Sequence, residues 1–250
     1  MRRVLILGGT TEATALARAL ATRPDLEVTT SLAGRTRSPA ALPGRVRTGG
    51  FGGAAGLADF LASRGIDALI DATHPFAARI SANAVEACRL HPTPRLALVR
   101  PPWEPQPGDR WTPVPDLPAA AAALPSGART LLAIGRQDLD PFSARTDVWF
   151  LIRSVEPPDG PLPPNHAVLT ARGPFRVDDE VALLTTHRIT TVVAKNSGGN
   201  DAKLDAARRL GLPVLLVSRP PPPPGARAAT VAEALAWLDA LVDIIPNDGA

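Results

Sequence analysis

Short runs of Val, Ile and Leu alternate along this chain with longer stretches whose apolar residues recur every three to four positions. Residues 3–7 (RVLIL) end at Gly8-Gly9. TEATALARALAT (11–22) follows with helical spacing, and then LEVTTSL (26–32). Strand, glycine turn, helix, strand is a βαβ unit. Residues 56–65 read as a helix closed by Gly65, a natural left-handed cap. Residues 67–73 read as a buried strand, 75–90 as a helix with Pro75 in its first turn, and 94–100 as the next strand. Strands and helices in alternation predict parallel sheet covered on both faces.

The pattern stops at residues 101–118, PPWEPQPGDRWTPVPDLP, a stretch with seven prolines and two tryptophans. It reads as an extended, semi-rigid linker, with Trp103 and Trp111 free to pack on a domain or to line a cleft. Alternation then resumes. Strands are expected over 128–134, 148–155, the start of 166–175, 189–195 and 212–220, and helices over 177–188, 201–211 and 230–242. The acidic start of 177–188 suits a helix N-terminus. The prediction is α/β: two Rossmann-like halves with mostly parallel sheets flanked by helices and a cleft between them. The halves are residues 1–100, a dinucleotide-binding domain, and 119–243, with a frayed tail over 244–250.

Composition narrows the class. Aromatic residues make up 4%, tyrosine is absent, and only two of the 27 basic residues are lysine. The arginines are dispersed rather than clustered on one element, and the net charge is +3, so a nucleic-acid face is not expected. A mild positive bias suits an anionic small molecule. A single cysteine, Cys88, excludes an intrachain disulfide and a C-x-x-C metal site. His91, His166 and His187 show no metal-ligand spacing, and no metal is expected. No run approaches the roughly 18 apolar residues of a membrane span, and the opening run is short for a signal peptide. A cytoplasmic protein, monomeric or weakly dimeric and without membrane or nucleic-acid partners, is therefore expected.

The candidate chemistry lies where strands end. LGGTTEA joins the first strand to the first helix, where a dinucleotide fold places its phosphate turn. Gly8 fits that pattern, Thr10 and Ala13 replace the later glycines, and the hydroxyls of Thr10 and Thr11 are candidate phosphate ligands. After the second strand an NAD enzyme usually carries an acid. Here Ser31 is followed by Arg35 and Arg37, which favours the 2′-phosphate of NADP. DATHPFA ends the strand at 67–73 and presents Thr73, His74 and Pro75 at the ligand edge. VVAKNSGG ends another strand and presents Lys195, Asn196, Ser197 and the bare Gly198-Gly199 backbone as an anion-accepting concavity. Lys195 and His74 are the candidate proton donors, and Lys203 reads as a surface residue. Without tyrosine, the Tyr-x-x-x-Lys acid of short-chain dehydrogenases is excluded.

ILGGTTEA, DATHPFA with SANAVEAC, RPPW, ARGPF and AKNSGGNDAKLDAAR, in this order, resemble the precorrin-6A reductase family of cobalamin biosynthesis. The resemblance runs from the first strand to about residue 220. It implies NADPH-dependent reduction of a double bond in precorrin-6A, an anionic tetrapyrrole, to precorrin-6B, or the same step on the cobalt-containing ring. It implies that Gly8, Gly9, Thr10, Thr11 and Glu12 lie at the cofactor phosphates, Ser31 and Arg35 at the 2′-phosphate, and Thr73 to Pro75 beside the nicotinamide. Lys195 to Gly199 would face substrate carboxylates or the cofactor. Two other readings fit the same motifs: a regulator that senses NADPH without turnover, and an NADP reductase of a smaller anion.

Overall fold

The computed structural model describes residues 1–34 and 41–244, with side chains through residue 241. The expectations for Arg35, Arg37 and the tail beyond residue 244 lie outside the described residues. The chain divides into two compact units, residues 1–101 with 220–250, and residues 102–219.

The first unit begins with β1 (Arg2–Leu7), α1 (Thr11–Leu20), β2 (Leu26–Leu32), β3 (Arg45–Thr48), α2 (Ala54–Arg64), β4 (Ala68–Asp71), α3 (Ala78–Leu90) and β5 (Arg95–Leu98). The second unit follows with β6 (Trp111–Val114), α4 (Leu117–Ala123), β7 (Arg129–Ala133), β8 (Trp149–Ser154) and β9 (His166–Thr170). It continues with α5 (Val177–Thr186), β10 (Thr191–Lys195), α6 (Ala202–Arg209) and β11 (Val214–Val217). The chain then returns to the first unit with β12 (Ala226–Ala228) and α7 (Val231–Ile244).

Each unit holds a six-stranded sheet whose described pairings are all parallel. The first runs β3-β2-β1-β4-β5-β12 and the second β9-β8-β7-β10-β11-β6. In the first, the chain starts centrally at β1, winds outward, and then reverses; the second lays β6 at one edge and then repeats that winding from β7. The strand order therefore switches between β1 and β4 in one sheet and between β7 and β10 in the other. Ligands of open parallel sheets bind outside the carboxyl ends of strands at such a switch.

Side-chain alternation sets the layers. Val4 and Ile6 of β1 pack with Leu16 and Leu20 of α1 and with Ala234 and Leu238 of α7. Leu5 and Leu7 face the other way, onto Leu57 and Leu61 of α2 and Ala84 of α3. In the second unit Leu131, Leu151, Val192 and Leu216 form one core face with Leu184 and Leu204. No helix among the described residues is long and apolar enough to cross a membrane.

Three predicted boundaries move. The proline-rich segment is not only a linker. It carries β6, which pairs with β11 at a sheet edge, where Pro113 deprives the ladder of a donor at little cost. Trp103 is 9% exposed and packs in the second core. The second unit also ends before residue 243. The apolar stripe of α7 is buried against α1 and the first sheet, and β12 extends that sheet beside β5. Pro75 lies outside helix α3, which starts at Ala78 after a turn in which Ala77 N–H meets the His74 carbonyl at 2.7 Å.

Candidate functional site

The first switch point is built around Thr10. It caps α1 with an extended backbone, and its Oγ1 accepts the Ala13 N–H at 3.1 Å. The same hydroxyl donates to the Ala72 carbonyl at 2.7 Å, tying the turn after β1 to the loop after β4. Thr10 thus braces the scaffold through its hydroxyl. Thr11 Oγ1 donates to Glu12 at 3.1 Å, and Arg100 Nη1 pairs with Glu12 at 2.9 Å, which neutralises the one carboxylate beside the helix start.

What remains for a ligand is backbone. A side chain on Gly8 would press on Thr30 and Leu32 of β2 at 3.1 and 3.3 Å, so this glycine is needed for packing. Gly9 has φ +116°, and the place where its Cβ would stand meets nothing within 4 Å. An open glycine leads there into a ten-residue helix whose Thr11 and Glu12 N–H groups lack intrahelical partners. That arrangement fits the pyrophosphate of a dinucleotide.

Ser31, the penultimate residue of β2, lies beside Leu7, with its carbonyl accepting the Gly8 N–H at 2.9 Å. On the far side of the switch, buried Asp71 accepts from Thr73 Oγ1 at 2.6 Å and from its N–H at 3.1 Å. His74 Nδ1 accepts the Phe76 N–H at 3.2 Å, which leaves the proton of a neutral ring on Nε2. The structure therefore brings Gly8–Glu12, Ser31 and Thr73–Pro75 to one edge of one sheet.

Lys195 ends β10 at the second switch point. Its Nζ lies 2.5 Å from Oδ2 of Asp138, in the loop after β7. The Lys195 side chain is 14% exposed and Asp138 49%. Asn196 is engaged on Trp103: its Oδ1 accepts the Trp103 N–H at 2.9 Å, and its Nδ2 faces the Trp103 carbonyl at 3.4 Å. Trp103 Nε1 donates to the Gly199 carbonyl at 2.9 Å. Gly198 and Gly199 take φ +67° and +78°, a successive left-handed pair that only glycine adopts readily. Lys203, expected at the surface, stands 4.1 Å above the Trp103 ring. Asn196 and Trp103 thus shape the turn that carries Lys195 and the backbone of Ser197–Gly199.

Sequence reasoning missed two contributors. Asp138 pairs with Lys195 across 57 positions, a partnership no local pattern reveals. Arg47 sits on β3, an edge strand whose exposed RVRT sequence carries no apolar signal, and reaches Ser31 Oγ at 3.2 Å. The described pocket of the first unit, about 480 Å³, is lined by Arg3, Arg45, Arg47, Arg64, Glu27 and Phe60 among others. Arg3 and Glu27 in its walls lie near the amino ends of β1 and β2, whereas Arg47 stands beside Ser31 near the other end.

The family model for precorrin-6x reductase CbiJ/CobK matches residues 3–239. The precorrin-6A reductase of Rhodococcus erythropolis is 53% identical over 245 residues, covering 96% of this chain and 99% of its own. That of Rhodobacter capsulatus is 53% identical over 242 residues, 95% of this chain and 96% of its own. A cobalt-precorrin-6A reductase of Methanothermobacter thermautotrophicus is 30% identical over 232 residues, 87% and 76% of the two chains. The solved structure of a CobK precorrin-6A reductase superposes with a TM-score of 0.91 at 52% identity, covering 96% of this chain and 97% of that one. With the glycine turn, the His74 loop and the Lys195 turn all at strand ends of the matching fold, this chain belongs to the precorrin-6x reductase family.

Proposed function

We propose that the protein reduces a ring double bond of precorrin-6A with NADPH, giving precorrin-6B in cobalamin biosynthesis. The observation that carries this reading is 53% identity, over nearly the whole chain, to two precorrin-6A reductases. Identity to the cobalt-precorrin-6A reductase is 30%, which favours the metal-free ring over its cobalt counterpart.

The bare Gly9 backbone and the free N–H groups opening α1 hold the cofactor pyrophosphate, with Gly8 keeping the turn tight against β2. Ser31 and Arg35 receive the 2′-phosphate. Thr73, oriented by Asp71, and the His74-Pro75 turn border the nicotinamide. A bound reduced nicotinamide supplies the hydride. Lys195, with the backbone of Ser197, Gly198 and Gly199, takes a carboxylate of the substrate, and Asn196 fixes that turn through Trp103. A proton must also reach the ring. Lys195 Nζ carries one, and so does His74 when its neutral ring is protonated on Nε2.

The test mixes purified protein, NADPH and metal-free precorrin-6A, and follows reduced-nicotinamide absorbance together with the pigment spectrum. Linked loss of both, far faster with NADPH than with NADH, is expected. Turnover of only the cobalt-containing ring would transfer the assignment to the cobalt-precorrin-6A reaction. Tight NADPH binding without turnover of either ring would overturn the enzyme reading in favour of an NADPH sensor.

A further inference from the structure

Arg47 differs from most of the protein's inward-facing arginines in its partners. Arg100, Arg136, Arg153 and Arg208 each pair with a carboxylate. Arg47 has no carboxylate among the described residues. Glu27, the acid nearest along the same face, is taken by Arg3 at 3.3 Å and Arg45 at 2.7 Å. Neutral groups hold Arg47 instead. Its Nη1 donates to Ser31 Oγ at 3.2 Å and to the Gly49 carbonyl at 2.6 Å, and its Nη2 donates to the Gly50 carbonyl at 2.6 Å. Its guanidinium lies 3.8 Å from the centre of the Phe51 ring. Burial pushes its pKa below the ordinary arginine value, as expected of a desolvated cation without a counter-charge.

This arrangement is rigid and incomplete. Three of the five guanidinium N–H groups are engaged, leaving Nε–H and one Nη2 hydrogen. Strand register puts Arg47 directly beside Ser31, at the carboxyl end of the sheet. The loop it grips is fixed from the other side as well. A side chain at Gly56 of α2 would stand 1.9 Å from the Phe51 carbonyl, and Phe51 packs edge-on against Phe60 at 5.2 Å. A partly desolvated cation, clamped by carbonyls and an aromatic face with two donors unused, is a preorganised anion receptor.

Resting on the cofactor reading above, we infer that Arg47 is a specificity-determining residue for the phosphorylated nicotinamide dinucleotide. Its two unused donors take the 2′-phosphate beside Ser31. Discrimination between NADP and NAD then comes from an edge strand, in addition to Arg35 in the segment after β2.

The test is calorimetric titration of the full-length protein, without tetrapyrrole, using NADP⁺, NAD⁺, 2′,5′-ADP and 5′-AMP. Arg47→Gln, Arg47→Lys and Arg35→Gln are compared with the unaltered chain, and thermal unfolding is recorded for each. In Arg47→Gln, NADP⁺ and 2′,5′-ADP are expected to bind at least about tenfold more weakly, as for one lost charge-assisted phosphate contact. NAD⁺ and 5′-AMP should change less than about twofold, and Arg47→Lys should recover part of the loss. Equal weakening of all four ligands would reduce Arg47 to a brace for the Gly49-Gly50 loop and overturn the inference. So would unchanged NADP⁺ affinity in both Arg47 variants with discrimination lost only in Arg35→Gln. If Arg47→Gln does not fold, the Arg47→Lys ratio of NADP⁺ to NAD⁺ affinity decides alone. An unaltered chain that binds neither NADP⁺ nor 2′,5′-ADP would instead sink the cofactor reading itself.

Discussion

At the switch point of the first sheet, two loops are tied by a neutral hydrogen bond from Thr10 Oγ1 to the Ala72 carbonyl. At that of the second, they are tied by an ion pair between Lys195 and Asp138. The five strands from β3 to β5 and from β9 to β11 are wound in the same order, and only the sixth, outer strand differs in chain position, so the difference at the two switch points is chemical. The first edge uses its polar side chains internally, Thr10 on backbone, Thr73 on Asp71, Glu12 on Arg100, and leaves glycine backbone facing outward. The second fixes its glycines internally through Trp103 and sets the Lys195–Asp138 pair beside them. Backbone N–H groups in fixed array suit a ligand of constant shape, such as a pyrophosphate. A flexible ammonium suits carboxylates whose positions vary from one ring substituent to the next. Closely related windings thus present two different chemistries according to which groups are used in construction.

The comparison breaks if the two edges do not separate by ligand. Lys195→Met should lower kcat/KM for precorrin-6A about 10- to 100-fold, the range for losing one hydrogen bond to a charged group. NADP⁺ affinity, measured by titration, should stay within about twofold. A parallel fall in NADP⁺ affinity would make the second edge a cofactor site too. Gly9→Val is the converse. A β-branched residue at φ +116° costs roughly 1–3 kcal/mol and stands in the ligand's approach. Cofactor affinity should fall about tenfold or more, with substrate protection of the Lys195 turn from proteolysis unchanged.

Two smaller effects sharpen the contrast. Thr10→Val deletes both hydroxyl bonds of the cap and should lower unfolding free energy by about 1–2 kcal/mol in chemical denaturation. Thr10→Ser should recover most of it. Asp138→Asn removes an ion pair whose acid is half exposed, and such pairs contribute only about 0–1 kcal/mol. Melting temperature should barely move, while KM for the tetrapyrrole falls up to about threefold as Lys195 is released. A large loss of stability would mean that the pair braces the switch point rather than waiting for a ligand.

Legibility in the sequence follows burial. β1, β2, β4, β7, β8 and β10 lie inside their sheets, so their residues are apolar in runs that announce strands. The three strands the pattern did not predict, β3, β6 and β12, are all edges. RVRT, WTPV and ARA have at most one buried residue each, and nothing in their composition distinguishes them from loop. Arg47 was hidden with β3 for that reason. Gly8, Gly9 and the Lys195 turn were visible because a glycine where a strand ends has a steric cause that sequence order preserves. The second role of Thr10, the use of Asn196 by Trp103 and the pairing of Lys195 with Asp138 were not visible. Each depends on loops that meet only after the sheet winds back on itself.

The return of the chain to its first sheet has a consequence for synthesis. β12 lies beside β5 in register Ala226 to Leu96, and the whole second unit is translated between them. As the nascent chain emerges, the first five strands can wind, but the outer edge of β5 stays open and the face of α1 that α7 covers stays bare. The unit made first is therefore completed last. Its cooperative folding waits for the final helix, whereas the second unit has all six of its strands as soon as β11 is made. Slow translation near the end would prolong an open-edged intermediate of the kind that aggregates. A permuted chain opened between α6 and β11 and joined through its original termini would exchange that burden from one unit to the other.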